Sequence, residues 1–411
     1  MRVLIDYRPA LRQRSGVGEY THQLVKALLA AFPADPAHRP LELTLFSSSW
    51  KDRFRPATRE LAGATIVDRR VPVRLLNLSW HRLGWPPVET ITGRAFDVTH
   101  SLHPLLLPSR DAAQVVTIHD LDFLAHPERT RAEIRRDYPA FARDHAHRAD
   151  RIIVPSRFTA AEVERQLGVS GDRISVCSPG APDWTPREGP PPESGYVLFF
   201  GTLEPRKNVG ALLDAYEQLV TAGARIEHPA EARVARPAEA GRYGEALNGV
   251  PHLVLAGQAT GESQPWLDRI ARAPLRGIVR HIGYVDPSRR RELYEGARLL
   301  VQPSFEEGFG LPVLEAMTLG VPVIAANRGA LPEVLGDAGL LIDPDEPEQL
   351  TSAIRRMLGD QALAAASAAK GPLRARQFRW DLTAQRAYEA YQMASEGRVR
   401  RTPIRDDKSK K

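Results

Sequence analysis

Pro303-Ser304-Phe305-Glu306-Glu307-Gly308-Phe309-Gly310-Leu311-Pro312-Val313-Leu314-Glu315-Ala316-Met317 holds the end of a strand, a turn and the start of a helix. The apolar run Leu299–Val301 ahead of it reads as a buried strand ending near Gln302. Gly308 and Gly310 lack the Cβ that keeps a ligand off the backbone, so the N–H groups of this turn can face one. Pro312 suits the first turn of a helix, where no N–H is needed. Strand, glycine turn and helix in succession are the repeating element of a parallel α/β sheet.

The same rhythm runs outward in both directions. Upstream, short apolar runs at Val3–Ile5, Leu41–Phe46, Thr65–Val67, Val115–Ile118, Ile152–Val154 and Ile174–Val176 alternate with amphipathic stretches. The first of these stretches places Leu24, Leu28 and Phe32 on one face, with Val25 and Leu29 beside them. A second series begins at Tyr196–Phe200 and continues at Leu253–Ala256, Ile278–Ile282, Leu299–Val301, Val321–Ile324 and Leu340–Ile342. Between the series lie Ser178-Pro179-Gly180-Ala181-Pro182-Asp183 and Gly189-Pro190-Pro191-Pro192, too rich in Pro and Gly to continue an element. The expected organisation is therefore an α/β domain over 1–185, a second over 193–378, a helix over 379–397 and a basic disordered tail over 398–411. A length of 411 residues suits two such domains. The stretch 222–249, rich in Ala, Arg, Glu and Pro, reads as a long surface loop.

Composition removes several classes. Asp6 and Arg8 interrupt the N-terminal apolar run too early for a signal peptide, and no run approaches the roughly 18 apolar residues of a membrane span. The single Cys177 rules out an internal disulfide and a cysteine-built metal site, and fits a reducing, cytoplasmic setting. The net charge of +6 is local: Arg398 to Lys411 holds seven Lys or Arg against two Asp. Without aromatic interleaving this does not indicate nucleic acid; such a tail either stays solvated or touches anionic lipid. Arg69-Arg70, Arg74-Leu75-Leu76, Leu78, Trp80 and Trp85 mix basic and apolar residues, and read as an acceptor-side or membrane-facing surface or as a strand–helix segment buried in the domain.

Three post-strand loops carry candidate chemistry. Gly201-Thr202-Leu203-Glu204-Pro205-Arg206-Lys207-Asn208 precedes a helix expected over Val209–Val220, with Asn208 as its N-cap. Two cations there oppose the helix dipole unless an anion is bound, a fork from Arg206 and a point charge from Lys207 being suited to a diphosphate; a solvated surface pair is the plainer reading. Glu307 in the glycine turn and Glu315 in the following helix can each accept two vicinal hydroxyls, although dipole compensation alone would account for Glu315. Val115-Val116-Thr117-Ile118-His119-Asp120-Leu121 puts His119 at a strand end, as a ligand-facing group or as a satisfied structural histidine.

These residues closely resemble the donor-binding core of family 4 retaining glycosyltransferases, most of all the mannosyltransferase-like members. The resemblance is strongest over Gly201–Asn208 and from Gly283-Tyr284-Val285 through Glu315 to Gly320-Val321-Pro322-Val323, and weakest over Trp50–Ile91 and 222–249. It implies the GT-B fold: two Rossmann-like domains facing each other across a cleft, with a C-terminal helix returning to the N-terminal one. It implies Arg206 and Lys207 on the donor diphosphate, Glu307 at the donor sugar, and Gly201 with the Gly308, Phe309, Gly310 and Leu311 backbone against sugar and phosphate. Glu315 is implied at the ribose, Tyr284 and Val285 along the base, His119 by the donor sugar, and Gly16 and Gly18 in a glycine loop over donor phosphate or acceptor. Neither metal nor cofactor is implied. The donor, a substrate, is GDP-mannose or a UDP-sugar, and the acceptor a glycan or lipid-linked molecule, on a cytoplasmic enzyme peripheral to the inner face of the membrane.

Three rivals are weaker, one of them a non-catalytic sugar-nucleotide-binding or scaffold protein, which would have little need for Arg206, Lys207 and Glu307 together. Asp120-Leu121-Asp122 and Asp343-Pro344-Asp345 match the minimal Asp-x-Asp of metal-dependent transferases, but three-residue matches are common. A nicotinamide dehydrogenase would carry Gly-x-Gly-x-x-Gly straight after the first strand, where Asp6-Tyr7-Arg8-Pro9 stands instead.

Overall fold

Strands buried on both faces need continuous apolar runs, and the runs above become two all-parallel sheets. The computed structural model describes residues 1–11, 14, 16–33, 41–50, 52–54, 59–126, 132–189, 191–192, 194–223 and 250–401. They form two units, Met1–Gly180 with Arg379–Lys411, and Ala181–Phe378.

The first unit is built on β1 (Arg2–Asp6), β2 (Glu42–Ser48), β3 (Thr65–Arg69), β4 (Val98–Ser101), β5 (Ala113–Thr117), β6 (Arg151–Val154) and β7 (Ile174–Val176), in the order β3-β2-β1-β4-β5-β6-β7. The second holds β8 (Tyr196–Phe200), β9 (Leu253–Ala256), β10 (Val279–Gly283), β11 (Ala297–Gln302), β12 (Val323–Ala326) and β13 (Leu340–Ile342), in the order β10-β9-β8-β11-β12-β13. In each sheet the chain winds outward from the first strand, then returns to its other side. The loops leaving β1 and β4, and those leaving β8 and β11, therefore part company and open a crevice at the carboxyl ends of the strands.

One strand has no apolar signature. β4 reads Val-Thr-His-Ser, yet all four residues are buried. His100 makes this possible, pairing with the Tyr391 hydroxyl at 2.8 Å and the Thr117 hydroxyl at 2.8 Å, so no polar atom of its ring is stranded.

Tyr391 belongs to the helix Trp380–Arg401, which packs in the first unit although it is last in the chain. Its inner face is Ala384, Ala387, Ala390, Ala394 and Tyr391, the four alanines letting it settle against Tyr20, Leu24 and Leu28 of the helix Val17–Ala31. This helix runs on to Arg401, and Arg398 bonds Asp150 at 3.2 Å, which corrects the expected start of a disordered tail at 398. Residues 402–411 and 224–249 lie outside the described residues, as do Arg12 and Ser15.

The unit boundary also falls earlier than the Pro-rich stretch suggested, between Gly180 and Ala181 instead of after 185. Gly180 lies so close to the Trp380 backbone that any Cβ would collide there. Arg187 belongs to the second unit, its guanidinium donating to the carbonyls of Ala297 (2.6 Å) and Gly320 (3.3 Å). Proline density marked the absence of regular structure, which is not the same as a boundary.

Four histidines of the first unit are held neutral by burial: His81 and His100 are pushed down to about 3, His119 and His145 to about 4. Each gains a proton on unfolding when the pH lies between these values and the ordinary 6.5, so the folded state loses stability as pH falls through that window. Asp6 works in a lower range: burial disfavours its charge, but Arg8 and His103 outweigh burial and hold it below the usual carboxylate value. The urea midpoint of the first unit, followed by hydrogen exchange at β4 and β5, is expected to drop steadily from pH 6.5 to about pH 4; a flat midpoint over this range would contradict the assignment.

Candidate functional site

β8 and β11 are neighbours, and the two loops richest in candidate residues leave their carboxyl ends, at the point where the strand order reverses. Gly201, at the end of β8, donates to the Ala256 carbonyl at 2.8 Å, and Gly257 approaches the Gly201 carbonyl so closely that only glycine fits. A single turn, Pro205–Lys207, follows. Asn208 then adopts a left-handed conformation with φ 55°, and its side-chain amide donates to the Pro344 carbonyl at 3.2 Å. Asn208 closes the preceding turn and leads directly into the helix Val209–Gly223, its carbonyl accepting from Leu212 N–H at 3.4 Å, the place expected of an N-cap residue.

This turn carries Lys207 inward. Its ammonium donates to Glu307 Oε1 at 2.6 Å, with both side chains about nine-tenths buried. Burial pushes the Glu307 carboxyl up, but the charges of Lys207 and Arg206 and the bonds from Lys207 and Ser304 outweigh it, so the group is held below the ordinary range. For Lys207, burial and the Arg206 charge outweigh Glu307, and its value falls. Arg206 is partly exposed beside it, held by Glu204 Oε2 at 3.1 Å and the Glu306 carbonyl at 3.4 Å. The two loops are also joined through the backbone, Phe305 N–H donating to the Arg206 carbonyl at 2.8 Å.

Sequence reasoning missed three residues that position this carboxylate. Gln302 Nε2 and the Ser304 hydroxyl both donate to Glu307 Oε1, each at 2.9 Å. With Lys207, they place all three bonds on one oxygen and leave Oε2 as the one that can accept from a ligand. Gly329, after β12, has φ 62° and lies where a Cβ would stand 2.6 Å from the Glu307 carbonyl oxygen, while Ala330 N–H donates to that oxygen at 2.9 Å. Gln302 and Ser304 were within reach of the sequence, being polar residues at the end of an apolar strand; Gly329 was not, since only the fold brings β12 to this loop.

Gly308 and Gly310 form the turn itself. Gly310 has φ 106° and a Cβ there would meet Leu331 at 2.7 Å, so the helix Leu311–Thr318 begins hard against its neighbour. Phe309 is buried, edge-on to the Phe378 ring at 5.6 Å, which leaves only its backbone for a ligand. Glu315 is buried too, accepting from the Tyr294 hydroxyl at 2.8 Å and from Arg290 at 3.4 Å, both on the helix Pro287–Glu295. Tyr284 and Val285, half-buried, follow Gly283 at the end of β10, and the Gly283 carbonyl accepts from Gly257 at 2.8 Å. The Asp343-x-Asp345 pair is held by Arg328, at 2.8 and 3.0 Å.

The remaining candidates belong to the first unit. Gly16, φ 47°, precedes the helix Val17–Ala31, and a Cβ on Gly18 would lie 2.6 Å from the Pro9 carbonyl oxygen, so this helix start lies against the loop after β1. Tyr20, one turn on, meets His119 edge to face at 5.0 Å. His119 Nε2 lies 3.2 Å from the Leu102 carbonyl. A carbonyl can only accept, so Nε2 carries the proton, and the neutral ring offers Nδ1 as an acceptor.

An anchored cation pair, a carboxylate with one oxygen free, and a glycine turn at a helix start at the switch point of a Rossmann-like sheet are groups whose chemistry suits an anionic, hydroxyl-bearing ligand. Comparison with known proteins gives the class. The family model "Glycosyltransferase Family 4" matches residues 14–183 and "Glycosyl transferases group 1" matches residues 181–374. The O-antigen chain mannosyltransferase B of Escherichia coli is 30% identical over 415 residues, covering 96% of this chain and all of the relative. Sucrose-phosphate synthase from Thermosynechococcus elongatus superposes with a TM-score of 0.70 at 19% identity over 95% of this chain and 98% of its own. WaaG, a glycosyltransferase involved in lipopolysaccharide biosynthesis, does so with 0.67 at 17% identity, over 95% and 99%. The fold is GT-B. The chain belongs to the family 4 glycosyltransferases.

Gly329→Ala is expected to displace Glu307 through its backbone, cutting turnover by roughly tenfold or more while leaving the bulk fold intact. Ser304→Ala, which removes one of three bonds to Oε1, is expected to cost less, of order 1 kcal/mol in transition-state stabilisation. Steady-state kinetics with circular dichroism as the control checks both; equal turnover for Gly329→Ala and the parent would remove the positioning role.

Proposed function

We propose that this chain transfers a hexose, mannose in the first place, from a nucleoside-diphosphate sugar to a glycan or lipid-linked acceptor, with retention of configuration and without a metal ion. The observation that carries the reading is the buried Lys207–Glu307 pair with Arg206 beside it at the β8/β11 switch point. Fixed positive charge there suits a diphosphate that gains charge as it leaves, and fixed groups need no reorganisation at the moment of reaction. Two of the three N–H groups of Lys207 remain for phosphate oxygens, and Arg206 adds a fork. The free Oε2 of Glu307 suits a sugar hydroxyl or the positive charge developing at the anomeric carbon. The N–H groups of Gly308, Phe309, Gly310 and Leu311 point a helix N-terminus at the same ligand, with Gly201 on the opposite loop. Glu315, Tyr284 and Val285 are assigned to ribose and base, His119 Nδ1 to a donor-sugar hydroxyl, and Gly16 and Gly18 to the loop over donor phosphate or acceptor.

In this scheme the bond from the anomeric carbon to the phosphate oxygen breaks as the acceptor oxygen bonds to the same face of that carbon. The acceptor proton passes to the departing phosphate oxygen. Mannose from GDP-mannose is favoured because a relative matched along its whole length is an O-antigen chain mannosyltransferase. The proposed acceptor is a glycan or lipid-linked molecule, and the proposed location the cytoplasm, peripheral to the inner face of the membrane.

A panel of GDP- and UDP-sugars, read by release of nucleoside diphosphate, tests the class and the donor together: GDP-mannose is expected to give the fastest turnover and chelator to leave it unchanged. Glu307→Gln and Lys207→Ala are each expected to lower kcat by about 10²-fold or more. Near-full turnover in Glu307→Gln, or loss of activity on chelation, would sink the corresponding role.

A further inference from the structure

Twelve large apolar side chains are exposed among the described residues, and six of them, Val71, Val73, Leu75, Leu78, Leu83 and Trp85, fall in one segment of the first unit. Leu75, Leu78, Leu83 and Trp85 are 55–74% exposed. The segment is a helix, Val73–Leu78, that continues into a wider turn, Ser79–Leu83. Its inner face is firmly seated. Leu76 and Trp80 are buried with Leu4 and Phe46, the Trp80 indole donates to the Pro86 carbonyl at 2.9 Å, and Arg8 lies over the Trp80 ring while donating to Asn77 at 2.8 Å. The outer apolar residues are thus displayed by a packed element. The Ser48 hydroxyl bonds the Val71 carbonyl at 2.9 Å, which ties the segment to the end of β2, two residues before Trp50, itself 69% exposed.

Charge selects the occupant. From Arg69 to Val88 the chain carries four arginines and no acidic residue. Asp68, just before, is turned inward to Ser47 and Arg53. Arg70, Arg74 and Arg82 are exposed beside the leucines. A second copy of the same face would set arginine against arginine. Clustered Leu and Trp with interspersed Arg is the composition that partitions to the boundary between headgroups and acyl chains of an anionic bilayer.

We propose that residues 70–85 dock this enzyme on an anionic phospholipid surface, Leu75, Leu78, Leu83 and Trp85 entering the headgroup boundary and Arg70, Arg74 and Arg82 meeting lipid phosphates. The purpose of such docking rests on the lipid-held acceptor proposed above; the docking itself is tested without donor or acceptor. The full chain is mixed with phosphatidylglycerol-containing vesicles and, separately, with phosphatidylcholine vesicles, and bound protein is measured by flotation. Binding is expected with the former, weakening as salt rises. Leu78→Ser with Leu83→Ser, and separately Arg70→Gln with Arg74→Gln, are each expected to weaken it by roughly tenfold or more, with thermal midpoint and nucleoside-diphosphate affinity unchanged. Absence of binding by the parent chain, loss only on removing 402–411, or variants that alter self-association while vesicle binding persists would each overturn the proposal. Failure of the transferase reading would look different: vesicle binding intact, with no nucleoside diphosphate released from any donor.

Discussion

The bond between Lys207 and Glu307 ties together the loops that leave β8 and β11. A charge taken out of water on this scale survives only with a partner, and removing one member of such a pair costs about 3–5 kcal/mol because the other is left buried and alone. Here the partners lie 100 residues apart in sequence and sit on the two loops that diverge at the switch point. The pair therefore serves as a strut between the loops while keeping both charges at the mouth of the crevice. Gln302 and Ser304 complete it by filling the remaining positions on Oε1.

A second constraint governs the first unit. β4 buries a histidine, and this is tolerable only because the C-terminal helix supplies the Tyr391 hydroxyl and β5 supplies Thr117. The last helix is consequently part of the first unit's core, with an alanine face suited to close approach. The same unit turns Trp80 and Leu76 inward and leaves their neighbours outward, so one short segment contributes both to the core and to the exposed apolar face.

Much of this was legible along the chain, for identifiable reasons. Continuous apolar runs between turn residues mark strands covered on both faces, and the second sheet's strands carried them apart from the edge strand β10, where Arg280 and His281 interrupt the run. Gly308-Phe309-Gly310-Leu311-Pro312 marks a turn into a helix start, because only glycine reaches φ 106° without strain and proline suits a first helical turn. β4 was invisible because its burial depends on hydrogen-bond partners remote in sequence. The unit boundary was misplaced because proline density reports irregular backbone, whereas a unit is defined by which core its residues join.

The order of residue types along the chain thus determined the α/β class, the two sheets, the loops bearing Arg206, Lys207 and Glu307, and the helix bearing Glu315, since each of these follows from local periodicity and turn chemistry. Tertiary structure alone decided that Lys207 meets Glu307, that Gly329 lies under the Glu307 backbone, that Glu315 turns to Tyr294 and Arg290, and that Leu75, Leu78, Leu83 and Trp85 face outward while Trp80 does not. These are contacts between segments far apart in sequence, or choices of face set by what lies beneath, and no local pattern encodes either.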